Sequence, residues 1–184
     1  MASKALPSPE VLRQLLRYEP ETGKLFWRER HGDRRWNALW SGAEAFTALN
    51  GDGYKVGSVN GRSLLAHRVI WAMQAGEWPN GKIDHEDTVR SNNSWGNLRQ
   101  ATDSENAQNR NVRRDNRCGA KGVTALKSGR YQARIMRDGK SKALGTFGCR
   151  TAAALAYAKG SKMAHGDFSR TGDLVIRQRD AACS

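Results

Sequence analysis

Residues 83–110 read IDHEDTVRSNNSWGNLRQATDSENAQNR, and no other stretch limits so sharply what this chain can fold into. A short apolar-led run ends in Asp84 and His85, and a second short run covers Leu98–Ala101. The intervening residues 86–96 are rich in Asp, Ser, Asn and Gly, as an irregular surface loop is. After the second run Thr102 can cap a helix, and Glu105, three residues on, completes a capping box. The order is strand, long loop, strand, helix. Asp84 and His85 close the first strand, Asn97 opens the second and Asn106 sits in the first turns of the helix. Acid, imidazole and amide side chains therefore recur at intervals that suit a small metal site.

Upstream, residues 9–18 place Val11, Leu12, Leu15 and Leu16 at helical spacing behind Ser8-Pro9, which predicts a short amphipathic helix. Residues 20–23 read as a turn and Leu25-Phe26-Trp27 as the start of a strand. Residues 29–44 mix charges, Gly32 and Gly42 with Trp36 and Trp40. They are expected to be irregular, the two tryptophans clamping the loop onto the core rather than stacking on bases. Gly51-Asp52-Gly53 and Asn60-Gly61 bracket residues 54–59, which is a hairpin signal. Residues 64–75 follow as an apolar-rich helix stopped by Gly76. His67 within it is read as structural, packing or hydrogen-bonding beneath the site.

Asp84-His85, Asn97 twelve residues after the His and Asn106 nine residues later, with Leu98-Arg99 directly behind Asn97, form a combined pattern. With the lead-in LAHRVIWAMQAGEWPNGKIDH, it resembles the ββα-metal site of HNH nucleases, and is most similar to their phage and intron-encoded homing endonucleases. The resemblance covers roughly the first two thirds of the chain. It implies hydrolysis of a DNA phosphodiester, which needs an activated water in line with the leaving oxygen and a cation to neutralise charge on the phosphate. His85, largely unprotonated near neutral pH, is the expected general base. Asp84 and Asn106 offer hard oxygen ligands, a pair that favours Mg2+ or Mn2+ over zinc. With one protein charge on the metal, affinity stays low until a DNA phosphate completes the shell. Asn97, by the same resemblance, binds backbone or the His85 ring and fixes the loop and the tautomer. Singly these residues are a polar strand end, a turn residue and a solvated helix position; the joint spacing gives them weight.

The charge lies elsewhere. The chain of 184 residues carries a net +13, yet residues 81–116 balance six basic against six acidic side chains. Residues 117–170 hold twelve Lys or Arg against two Asp or Glu. Such a surface calls for a polyanion, and nucleic acid is the default one. Three strand-like pieces, residues 121–126, 130–137 and 140–147, are joined by Ser128-Gly129 and Asp138-Gly139 turns, and a helix follows from Thr151 to His165 with Gly166 as its stop. In the middle piece Tyr131, Ala133 and Ile135 alternate with Arg130, Gln132, Arg134 and Met136. Lys121-Gly122-Val123, Tyr131-Gln132-Ala133-Arg134-Ile135, Leu144-Gly145-Thr146-Phe147 and Gly166-Asp167-Phe168 make this module similar to the plant ethylene-response-factor (Apetala-type) DNA-binding fold. That likeness implies a sheet in the major groove, with Lys121, Gln132, Arg134 and Ser141 facing DNA and Arg130, Lys140 and Lys142 on phosphates. Between the modules Arg110, Arg113 and Arg114 are expected to touch phosphates too.

The expected architecture is α+β. An N-terminal α+β lead-in occupies residues 1–80, the ββα-metal nuclease core and a basic linker residues 81–116, and a three-stranded antiparallel sheet plus helix residues 117–170, with a tail at 171–184. At 38% hydrophobic content, small modules fit the length better than one large core. No run approaches a membrane span and residues 1–9 carry no secretory signal, so a cytoplasm is expected, that of the host cell for a phage-encoded chain. Cys118, Cys149 and Cys183 are few and scattered, and are read as free thiols. The expected partner is double-stranded DNA, bound by a monomer without a small-molecule cofactor or a membrane. The rival readings are a DNA-binding regulator that kept the nuclease shape without cutting, and an RNA-binding or RNA-processing protein. A homing or mobile-element setting follows from the resemblance alone.

Overall fold

The computed structural model describes residues 5–109, 116, 118–137 and 139–169. The expected phosphate contacts Arg110, Arg113 and Arg114, and Cys183, lie outside the described residues. The chain divides into two compact units, Met1–Thr102 and Asp103–Ser184. Both mix helices with small antiparallel sheets, so the fold class is α+β.

In the first unit, helix α1 (Pro9–Leu15) starts as the sequence requires, Ser8 Oγ accepting from the Val11 N–H at 3.3 Å with Pro9 in the first turn. It stops three residues short of the expected Tyr18. From Leu16 the backbone turns extended as β1 (Leu16–Glu19), which pairs with β2 (Lys24–Trp27), and the Tyr18 hydroxyl donates to the Asn93 carbonyl at 2.8 Å. Strand pairing and that hydrogen bond override a helical pattern only ten residues long.

Residues 34–40, expected to be irregular, form helix α2 (Arg34–Trp40). Its cap is Asp33, whose carboxylate accepts from the Trp36 N–H at 3.0 Å. Trp36 meets Trp27 edge-on at 5.7 Å while the Arg30 guanidinium lies 3.8 Å above its ring, so this tryptophan does clamp the segment. Trp40 stays exposed. Strand β3 (Glu44–Ala45) then completes the sheet on β2.

A second sheet runs β4 (Ala48–Leu49), β5 (Lys55–Val59), β6 (Arg62–Leu65). Asn60 and Gly61, at φ 52° and 72°, make the tight turn that the Asn-Gly pair announces. Leu64 and Leu65 pair with Gly57 and Val56, so helix α3 (Ala66–Ala75) begins two residues later than its apolar run. Gly76 ends it in the left-handed conformation at φ 81°. Arg68 donates to the Pro79 and Gly81 carbonyls, both at 3.0 Å, and ties the following turn to the helix. That turn delivers β7 (Lys82–His85), which pairs with β8 (Leu98–Ala101). The core under these elements is Leu12, Leu16, Leu25, Val59, Val69 and Ile70, all essentially inaccessible. Each such side chain contributes roughly 1.5–3 kcal/mol by leaving water.

The second unit opens with helix α4 (Asp103–Gln108) and contains the expected sheet and helix. Strands β9 (Val123–Ala125), β10 (Tyr131–Arg137) and β11 (Lys140–Phe147) lie in the order β11-β10-β9, and helix α5 (Arg150–His165) packs on them. Ala133, Ile135, Ala153, Ala154 and Tyr157 form its core. The glycine of Lys121-Gly122-Val123 is obligatory. At φ 67°, a Cβ there would sit 2.1 Å from the Tyr157 ring and 2.7 Å from the Arg134 carbonyl. Cys118 is free, as expected, whereas Cys149 is disulfide-bonded.

Candidate active site

Antiparallel pairing decides where the two adjacent residues of β7 point. Asp84 stands directly across from Arg99 and His85 across from Leu98, so the two side chains alternate across the pleat, yet the Asp84 carboxylate stays close enough to His85 to act on its ring. The Asp84 carboxylate, 5% exposed, accepts from Arg99 Nε on Oδ2 at 3.0 Å, and Arg99 Nη2 stands 3.0 Å from the same oxygen as an ion pair. The His85 imidazole, 4% exposed, enters an aromatic cluster built by other elements. His67 of α3 meets it edge-on at 5.2 Å, and Tyr54 lies 5.8 Å from His85 and 5.0 Å from His67. The Arg90 guanidinium covers Tyr54 at 5.0 Å while donating to the Asp52 carbonyl at 2.6 Å.

The ring's polar partner is Asn93, with Oδ1 3.0 Å from His85 Nε2. Asn97 is bonded to the loop and not to the ring. Its Oδ1 accepts from the Asp87 N–H at 2.9 Å, and its Nδ2 donates to Asp87 Oδ1 at 3.0 Å and to the Asn92 carbonyl at 2.8 Å. Asn92 in turn donates to Asp87 Oδ2 at 2.7 Å. Asn97 therefore shapes the loop, and the loop carries Asn93 to the ring. Thr88 takes φ 65° within this loop, an uncommon conformation for a β-branched residue that the surrounding network holds in place.

Burial pushes the His85 pKa below its ordinary value; the Asn93 hydrogen bond and the charges of Asp87 and Asp84 pull it back up, and Arg90 adds to the lowering. The ring is thus neutral at neutral pH, and the carboxylate of its strand neighbour is near enough to act on it. His67 is lowered further, to about 3, by burial first and then by His85 and Arg68. Burial raises Asp87, but its bonds to Asn92, the Val89 N–H and Asn97 outweigh that and leave it lowered. Two buried imidazoles packed edge-on, both with lowered pKa, can accept a proton and do not both carry charge.

The chemistry of the donors fits a hard divalent cation. Asp84 presents a carboxylate fixed by a strand and by Arg99, and Asn106 on α4, half-buried, an amide oxygen. Asn106 belongs to the second unit and Asp84 to the first. Among the described residues, no three His, Cys, Asp or Glu side chains gather into a metal cage.

Of the residues expected to meet DNA, Gln132, Arg134 and Ser141 share one face of the second unit's sheet. They alternate with the buried Ala133 and Ile135, and Ser141 pairs with Met136 of that face. Lys142 and Lys140 pair with Ile135 and Arg137 on the other face and remain exposed. Arg130 is exposed and donates to the Thr146 carbonyl at 3.0 Å, while Lys121 sits half-buried in a turn.

Residues 64–108 match the family model described as HNH endonuclease. The matched segment runs from the end of β6 through α4 and contains His67, Asp84, His85, Asn93, Asn97, Arg99 and Asn106. A solved structure described as "DNA binding and cleavage by the HNH homing endonuclease I-HmuI" is similar at 18% identity and a TM-score of 0.38, covering 83% of this chain and 88% of that one. No curated protein matches the chain. Among the described residues no helix is long and apolar enough to cross a membrane.

Sequence reasoning missed Asn93, Arg99, Tyr54 and Asp87. Arg99 was recoverable, because pairing Ala101 with Lys82 and counting back sets it against Asp84. Asn93 carried only the weak signal of a tandem Asn in a polar loop.

Proposed function

We propose that this chain is a divalent-metal-dependent DNA endonuclease of the HNH homing type, hydrolysing phosphodiester bonds of double-stranded DNA at a recognised site. The observation that carries the proposal is the buried, neutral His85, gripped at Nε2 by Asn93 inside the segment that matches HNH endonucleases. A neutral imidazole in a hydrogen-bonded cluster takes the proton of an attacking water. The water oxygen forms its bond to phosphorus as the bond to the leaving sugar oxygen breaks, and that oxygen leaves with a proton from solvent. The cation, Mg2+ or Mn2+ held by Asp84 and Asn106, would supply charge neutralisation at the scissile phosphate and the departing oxygen. Asn97 keeps the loop in shape.

Binding falls to other parts. The neutral catalytic segment makes few phosphate contacts by itself, whereas residues 117–170 with their twelve basic side chains deliver it to DNA. Gln132, Arg134, Ser141 and Lys121 face the bases, and Arg130, Lys140, Lys142, Arg110, Arg113 and Arg114 hold phosphates. The protein acts as a monomer in a cytoplasm, without a small-molecule cofactor or a membrane. A plasmid assay with magnesium tests the reading. The wild type should cut and His85→Ala should not, with duplex binding unchanged; equal cutting by both would remove His85 as the base.

One observation favours a second reading. Arg99 already occupies Oδ2 of Asp84, as in a structural ion pair, which fits a DNA-binding regulator that does not cleave. Firm duplex binding with no cutting by the wild type in magnesium or manganese would select it.

A further inference from the structure

His85 sits at the end of a chain of contacts that begins in the first sheet. Asn93 is 1% exposed, and among the described residues its Nδ2 finds no partner and its side chain makes one hydrogen bond, the 3.0 Å contact with His85 Nε2. The Asn93 backbone is gripped in turn. Its carbonyl accepts the Tyr18 hydroxyl of β1 at 2.8 Å, and the turn between β1 and β2 presses Gly23 against it. A Cβ at Gly23, which has φ 70°, would lie 2.4 Å from both the Asn93 carbonyl carbon and the Ser94 nitrogen. A buried amide with an orphaned donor is costly to keep. Here it has one use, to present an acceptor to the ring.

We propose that Asn93 is a positioning residue for His85, accepting from Nε2–H so that Nδ1 is the nitrogen that takes the water's proton, and that Tyr18 and Gly23 hold Asn93 in register. The inference rests on the nuclease reading for its meaning in catalysis, but the tautomer exists in the protein whatever that reading's fate. The opposite amide orientation would point Nδ2 at the ring, place the ring proton on Nδ1 and turn the nitrogen assigned here as base into a donor. A neutral imidazole held in the wrong tautomer has its lone pair on the wrong side.

The experiment uses the metal-free full chain, with long-range 1H–15N correlation of the imidazoles at pH 7.5, His85 being assigned by its loss in His85→Ala. The wild type should show His85 protonated on Nε2. Asn93→Asp, which keeps an acceptor, should preserve that pattern, and the isosteric Asn93→Leu should mix the two tautomers. In cleavage, Asn93→Leu should lower kcat about 10- to 100-fold with the Kd for DNA held within about twofold, as loss of an orienting partner does, and Asn93→Asp should restore most of it. Nδ1–H in the wild type, or an unchanged ring and kcat in Asn93→Leu, would overturn the proposal. Should Asn93→Leu not fold, Tyr18→Phe removes only the hydroxyl that steadies Asn93. A several-fold loss of kcat at unchanged Kd is expected there, and full activity would strike out the role of the first sheet. A protein that cuts nothing yet shows these tautomer shifts keeps the inference and loses the nuclease reading. One that cuts with a ring indifferent to Asn93 does the reverse.

Discussion

His67 should make the first unit acid-sensitive by an amount the structure sets. Its ring is 5% exposed, Nδ1 has no partner among the described residues, and its pKa falls from an ordinary 6.5 to about 3. Between those values the unfolded chain holds a proton the folded one refuses. The stabilisation from a neutral His67 is therefore complete above about pH 6.5, shrinks as pH falls, and is fully gone below about 3. At pH 5 an unfolded His is protonated about thirty to one while the folded ring is still neutral, which removes about 2 kcal/mol relative to pH 7.5. Because pH 5 lies well above the folded value, that figure is governed by the unfolded His alone. His67→Phe keeps an aromatic edge against His85 and abolishes the titration. Urea unfolding followed by tryptophan fluorescence is the assay, since the six tryptophans, at 27, 36, 40, 71, 78 and 95, all lie in the first unit. The wild type should lose about 2 kcal/mol more than His67→Phe between pH 7.5 and 5, the contributions of His85 and the carboxylates being common to both chains. Equal losses would refute the reasoning, whatever the absolute stabilities.

Removing one partner of the buried Asp84–Arg99 pair should be costly. Arg99→Met is expected to destabilise the first unit by about 3 kcal/mol in the same tryptophan assay, and adding Asp84→Asn should recover part of that loss. Gly122→Ala should destabilise the second unit by about 2 kcal/mol or more, because a Cβ meets both the Tyr157 ring and a backbone oxygen. Thermal circular dichroism should show that loss while tryptophan fluorescence of the first unit stays put. Truncation after Asn116 removes fourteen basic side chains and should weaken DNA binding and flatten its salt dependence in a filter-binding titration; an unchanged slope would place the phosphate contacts elsewhere.

Which parts of this molecule could be read from its residues follows from how local their causes are. The hairpin at Asn60-Gly61, the stop at Gly76 and the strand-loop-strand-helix order from Lys82 to Gln108 are each decided within a few residues, by a turn that needs positive φ or by an apolar run with a polar break. Helix α2 was hidden because a single Asp33 cap organises a stretch whose composition otherwise reads as loop. Helix α1 was overestimated because Leu16 and Tyr18 satisfy a helical pattern and a strand ladder alike, and the partners that choose between them lie in β2 and at Asn93. The site shows the same division. His85 and Asp84 announce themselves as residue types on one strand, and Asn97 by its spacing. Which of three amides in the loop reaches the ring depends on the path the loop takes through Thr88 and on how close the Gly23 turn can approach. The acceptor that sets the proton on His85 is thus specified by a glycine about seventy residues upstream, at a position where any side chain would push Asn93 away. A site built this way keeps its reactive groups legible in one segment and scatters the groups that aim them over the whole unit. Substitutions at Tyr18 or Gly23 should therefore reach the chemistry without touching a residue that performs it.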